Sequence, residues 1–181
     1  VSPKTAVFGK QLLKLRPPII RALERQCLSK EKLYSHQTDA VQVALDRKNV
    51  IVSTPAASGK TLCFNIPVLN SMVEDTNSRA LYIYPTKALA QDQILKIARF
   101  RNDFPKNEHL YTSGYHFTMK VGEHNIVFGK YEGQTPDFFK HRIRDFCNIV
   151  LTNPDMLHLA ILRHNHLWTD FLKNLNYIVL D

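Results

Sequence analysis

The spacing of apolar and polar positions changes period along this chain, and each change marks an element. Residues 50–53 (Val50, Ile51, Val52, Ser53) form an apolar, β-branched run, which predicts a buried strand. Residues 62–74 read as a helix, with Phe64, Ile66, Val68 and Leu69 available for burial. Pro67 inside it predicts a bend or a place within its first turns. Residues 75–79 make a polar turn, 80–84 a second buried strand, and 88–100 an amphipathic helix. Residues 125–128, 148–152 and 177–180 predict further strands, with a basic helix over 137–145 and another over 156–163. Alternating strand, short loop and helix is the signature of an α/β fold with a mainly parallel sheet.

The remaining stretches are less regular. Pro17-Pro18 breaks any helix, and 19–27 predicts a short amphipathic one, so residues 1–32 read as a packing lead-in. Residues 33–181 then form the globular domain. It opens on Leu33 to Gln37, followed by a helix with Ala40, Val41, Ala44 and Leu45 on one face. Residues 101–122 hold Pro105, Gly114 and Gly122 with few periodic apolar positions, and read as an irregular insertion. Residues 131–136 make a turn.

Composition narrows this only moderately. A chain of 181 residues with 44% hydrophobic content suits one domain with a full core. A formal charge of +8 and a pI near 9.5 favour an anionic partner such as nucleotide or nucleic acid. The cysteines Cys27, Cys63 and Cys147 are few and widely spaced, which predicts neither a disulfide framework nor zinc and suits a reducing, intracellular setting. No apolar run approaches membrane-spanning length. The chain starts at Val1 and stops at an apparent strand end, so it reads as a segment of something larger.

Candidate chemistry concentrates where the 50–53 run meets Thr54, Pro55, Ala56, Ala57, Ser58, Gly59, Lys60 and Thr61. Strand, glycine-containing loop ending Gly-Lys-Thr, then helix is the order of a phosphate-binding P-loop. Backbone N–H groups and the dipole at a helix N-terminus attract anions. Gly59 lets the backbone approach a phosphate, Lys60 reaches the outer phosphates, and the Thr61 hydroxyl suits Mg²⁺. Thr54 stands where the usual motif has its first glycine. Gln37 has two readings, a carboxamide serving a helix N-terminus or one reading the edge of adenine. With a P-loop downstream, adenine reading is favoured.

Four segments in this order resemble the first motor domain of superfamily two helicases. Residues 53–61 are similar to their motif I, 85–90 (Pro-Thr-Lys-Ala-Leu-Ala) to motif Ia, and 152–155 (Thr-Asn-Pro-Asp) to motif Ib. Asp181, after Ile178-Val179-Leu180, stands where their Asp-Glu box begins, and Gln37 matches their adenine-reading glutamine. The longer strings, together with the 131–136 turn, look closer to the RecQ-four-like helicases of fungi, plants and bacteria, which are linked to DNA repair. The resemblance implies a three-layer RecA-like P-loop NTPase domain, with ATP and Mg²⁺ as cofactors. It implies single-stranded or forked DNA and a second RecA-like domain as partners, and a nuclear location in a eukaryote. Lys60 and Asp181 would be catalytic, with Thr61 and Asp181 holding the metal, partly through water. Pro85, Thr86, Lys87, Thr152 and Asn153 would contact the nucleic-acid backbone, although each threonine is equally suited to cap a helix. Ala57 departs from the glycine of many relatives. With no glutamate after Asp181 and no arginine finger, negligible hydrolysis is expected of this segment alone.

Other features carry less. His158, His164 and His166 near Trp168 read as surface or packing residues, since no carboxylate or thiol has matching spacing. Arg142 and Arg144 read as a solvated helix face, Cys63 as a small core residue, and Tyr82 and Tyr84 as core aromatics. Two competing functions remain: another P-loop NTPase, and a nucleotide-binding piece without unwinding activity. A GTPase would need an Asn-Lys-x-Asp, which the sequence lacks.

Overall fold

The computed structural model describes residues 7–9, 14–26, 28, 33–100 and 114–181, arranged as two compact units, Val1–Ser71 and Met72–Asp181. In the first unit, α1 (Pro17–Arg25) has its prolines at the opening positions. Their missing N–H groups would be unpaired there anyway, so Pro17-Pro18 starts the helix instead of breaking it. Ile19, Ala22 and Leu23 are its buried stripe. Next comes α2 (Ser35–Leu45), whose first turn is closed when the Tyr34 N–H donates to Gln37 Oε1 at 2.9 Å. It buries Gln37, Thr38, Ala40, Val41 and Ala44. The long helix α3 (Lys60–Glu74) follows the phosphate-loop sequence and carries Pro67 in its interior.

The strand expected at 50–53 is absent: residues 50–55 belong to no strand, and Ile51 is 97% exposed. A β-branched run favours extended backbone, but a strand exists only when a neighbour takes its N–H and C=O groups. Among the described residues none does.

The second unit is organised by a five-stranded sheet in the order β2-β3-β4-β1-β5. Its strands are β1 (Arg79–Ile83), β2 (His116–Val121), β3 (His124–Lys130), β4 (Ile149–Thr152) and β5 (Leu175–Leu180). β1 pairs in parallel with β4 and β5, and β3 in parallel with β4; β2 pairs with β3 antiparallel. The sheet is mixed and mostly parallel with helices on both sides, as the α/β expectation required. Those helices include α4 (Lys87–Ala98), α5 (Asp137–Phe146), α6 (Pro154–Met156) and α7 (Thr169–Lys173). Leu157–Leu162 continues α6 as a π-helical turn, so the helix expected from 156 begins two residues earlier, where Asn153 caps it.

On one side Leu81, Ile83 and Val150 pack with Ile143, Ile161, Trp168 and Phe171 into a buried cluster. Trp168 meets Tyr131 and Phe171 edge-on, at 4.9 and 5.5 Å between ring centroids. The irregular insertion expected over 101–122 is corrected in part. Residues 101–113 lie outside the described residues, but 116–121 is β2, with Phe117, Met119 and Val121 buried alternately. The flanking glycines obscured that period-two pattern in the sequence, and Gly122 (φ 63°) is the left-handed turn of the hairpin.

Candidate functional site

The loop leading to α3 is shaped by its own bonds. Ala57 (φ 59°) and Gly59 (φ 81°) both take left-handed backbone, so the chain reverses before Lys60 opens the helix. Ala57 does this where the resemblance gives glycine. The Thr54 and Ser58 hydroxyls meet at 2.6 Å across the turn. Lys60 Nζ reaches back and donates to the carbonyls of Thr54 (2.7 Å) and Pro55 (2.9 Å). Both partners are neutral backbone groups, so the ammonium charge is gathered inside the loop without being cancelled there. Pro55, Ala56 and Ala57 are exposed, and Thr61 lies in the first turn of α3.

Helix α2 braces this loop. Gln37 Nε2 donates to Gly59 O at 3.0 Å, and His36 Nε2 lies 3.0 Å from Ser58 O, contacts not foreseen from the sequence. Gln37 is 3% exposed, with one end of its amide on Tyr34 and the other on Gly59. The helix-terminus role is therefore observed for Gln37. A Cβ at Gly59 would lie 2.4 Å from Gln37 Nε2 and would displace that amide, while the φ of 81° is what favours glycine there.

In the second unit, parallel pairing brings three expected positions to one edge of the sheet. Ile83 is in register with both Thr152 and Leu180, so β1, β4 and β5 end at one level. Asn153 and Asp181 follow those ends directly and Pro85-Thr86-Lys87 after one residue, where open parallel sheets collect ligands. Thr86 is the N-cap of α4, its hydroxyl accepting from the Leu89 N–H at 3.4 Å, and it is exposed. Asn153 Oδ1 accepts from the Met156 N–H at 2.8 Å. Thr152 is buried, and its Oγ1 donates to Tyr131 O at 2.9 Å. That hydroxyl therefore ties β4 to the 131–136 turn and is not presented to a ligand.

Asp181 is held through its N–H to Ile83 O (3.3 Å) and through Oδ2, which accepts from Gln93 Nε2 at 3.4 Å. Gln93 was missed as a site residue; its signal is a carboxamide on a helix face that also buries Ala90, Ile94 and Ile97. Tyr84 is buried nearby, and its phenol is pushed above its usual range by burial first and then by the charges of Asp181 and Asp92. Burial also raises Cys63 to about 11 and Cys147 to about 12, so both are inert thiols. Among the described residues no group of three or more His, Cys, Asp or Glu side chains could hold a metal. No described helix is long and apolar enough to cross a membrane.

The donor set suits a magnesium triphosphate. Lys60 holds a charge against neutral carbonyls that an anion can displace, and Mg²⁺ on a nucleotide needs few protein groups because it keeps several waters.

Residues 34–181 match the model of the DEAD/DEAH box helicase family. The chain is 41% identical over 151 residues to the uncharacterized ATP-dependent helicase YprA of Bacillus subtilis, covering 83% of this chain and 18% of YprA. It is 40% identical over 151 residues to the ATP-dependent helicase hrq1 of Schizosaccharomyces pombe, covering 83% of this chain and 13% of hrq1. The crystal structure of the DUF1998 helicase MrfA bound to DNA and AMPPNP superposes on the whole chain with a TM-score of 0.80 at 35% identity, over 23% of MrfA. This chain thus spans less than a quarter of the length of each of these relatives.

Proposed function

The chain belongs to the DEAD/DEAH box helicase family, and from that membership we propose that it is the N-terminal motor half of an ATP-dependent DNA helicase of the RecQ-four-like branch. The observation that carries this reading is the 54–60 turn, closed on the Lys60 ammonium at the start of α3. The recorded complex of MrfA with DNA and AMPPNP supports both ligands by similarity.

In this reading residues 54–61 take the triphosphate. Phosphate oxygens replace the Thr54 and Pro55 carbonyls on Lys60 Nζ, and N–H groups at the α3 N-terminus complete the cradle. Thr61 Oγ1 in the first unit and the Asp181 carboxylate in the second are each groups that would suit Mg²⁺, and the ion would supply charge neutralisation on the phosphates. Gln37 spends one lone pair on the Tyr34 N–H and one N–H on Gly59 O, which leaves one donor and one acceptor of its amide for adenine. Pro85, Thr86, Lys87 and Asn153 contact the phosphates of a single DNA strand and position it without reading bases. Thr152 keeps the Asn153 loop in place for that contact. In this reading a second RecA-like domain supplies the arginine finger, worth ~10³ to 10⁵ in rate, and negligible turnover is expected without it. An intracellular setting, nuclear in a eukaryote, and a role in DNA repair belong to the same reading.

The test is ATP and DNA binding. Replacing Lys60 by alanine removes a charged hydrogen-bond donor and lowers ATP affinity about 10- to 100-fold with DNA binding retained. Unchanged ATP affinity in folded Lys60→Ala rejects the phosphate assignment. Robust ATP turnover by the unmodified chain rejects the need for a second domain. Nucleotide binding with no DNA affinity at any salt favours the alternative of a P-loop protein that does not unwind.

A further inference from the structure

Gln93 is a polar side chain buried on the same helix as the apolar core residues of α4. It is 2% exposed on α4, beside the buried Ala90, Ile94 and Ile97, and a leucine at such a position would bury no polar atom. Its Nε2 donates to Asp181 Oδ2, and its Oε1 is buried without a partner among the described residues. The Tyr84 hydroxyl, on the residue that follows β1, is likewise buried without one. An unsatisfied buried acceptor costs ~1–3 kcal/mol. Two such atoms beside one exposed carboxylate indicate a structure completed by something that brings hydrogen-bonding groups to Asp181.

We infer that Gln93 is a positioning residue for Asp181, its amide N–H₂ fixing Oδ2 and its carbonyl left to accept from a water on the metal side. This rests on the reading of Asp181 as the Mg²⁺-holding carboxylate. The anchoring bond leaves Oδ1 for the metal or its water and selects one rotamer of a side chain that solvent would otherwise share. Metal-bound waters are strong donors, which is what an unpaired Oε1 requires. The anchor also has a place in the motor. Helix α4 starts at Thr86, in the loop assigned to the DNA strand, and Gln93 lies seven residues on, about 10 Å along its axis. One rigid helix therefore joins the strand-contacting loop to the carboxylate.

The measurement is binding of a fluorescent N-methylanthraniloyl ATP to the protein while Mg²⁺ is titrated, with EDTA as the metal-free reference. Gln93→Met keeps the length of the side chain and removes its donor. It raises the Mg²⁺ needed for half-maximal binding about 10-fold, while affinity in EDTA stays at the wild-type value. Asp181→Asn raises it at least as much, and the double variant is no worse than Asp181→Asn alone. Should Gln93→Met fail to fold, Gln93→Asn keeps the amide but is one methylene short of Asp181, and the same rise is expected. A normal Mg²⁺ requirement in either folded Gln93 variant, with a raised one in Asp181→Asn, overturns the role of Gln93 and leaves that of Asp181 standing. A normal requirement in Asp181→Asn overturns both. Additive effects in the double variant show that Gln93 acts elsewhere and overturn the inference.

Discussion

The two phosphate-binding regions of the proposed function are built in opposite ways. The 54–60 loop draws its shape from itself and from α2: two left-handed residues, a hydroxyl pair, a lysine folded back on two carbonyls, and the braces from His36 and Gln37. The residues leading into it, Val50 and Ile51, are exposed and form no strand. The loops after β1 and β4 are instead fixed by the ends of paired strands, over the buried cluster around Trp168. A local loop is sensitive to single backbone and side-chain changes within it. Loops set on a sheet are sensitive to the core beneath and tolerant of change at their tips.

The largest expected effect tests the second half of that contrast. Trp168→Ala empties the cluster beneath β1 and β4 and should lower unfolding free energy by about 3–5 kcal/mol, measured by urea titration. If DNA affinity survives this loss while stability falls, the sheet-borne loops do not depend on their core as argued. Gly59→Ala tests the first half. It places a Cβ against Gln37 at φ 81° and should cost about 1–3 kcal/mol, with loss of ATP binding and DNA binding retained. Equal loss of both ligands would mean that the local loop is not independent. Asn153→Ala removes a cap and should cost about 1 kcal/mol, with weaker DNA binding across all sequences.

A last test separates the two units by pH. Burial raises Cys63, in the first unit, to about 11, and Cys147, in the second, to about 12. Above the thiol's unfolded pKa of about 8.5, the unfolded chain loses these protons while the folded chain keeps them. Stability is therefore intact below pH 8.5 and declines as pH rises towards 11 for Cys63 and 12 for Cys147. Urea midpoints at pH 8 and pH 10.5 should fall less in Cys63→Ala and Cys147→Ala than in the wild type. An unchanged slope in Cys147→Ala would show that its thiol is solvated.

The sequence by itself determined β1, β3, β4, β5, α4 and α5 in the second unit, because each apolar run there has the period of its own element. It also determined the turn ahead of α3 and the cap at Thr86, whose chemistry is contained in three or four consecutive residues, whereas the Asn153 cap emerged only in the structure. Tertiary structure decided what depends on a distant partner. The 50–53 run has strand composition but no neighbour among the described residues, and β2 needed β3 beside it to reveal an alternation that its glycines concealed. Thr152 turned inward because Tyr131 O lay within reach, and Gln37 closed its own helix end and reached Gly59. Gln93 met Asp181 only because β5 lies beside β1, ahead of α4, across 88 residues of chain. Periodicity and local motifs are written along the backbone, whereas the partner of a hydrogen bond is set by which strands and helices pack together.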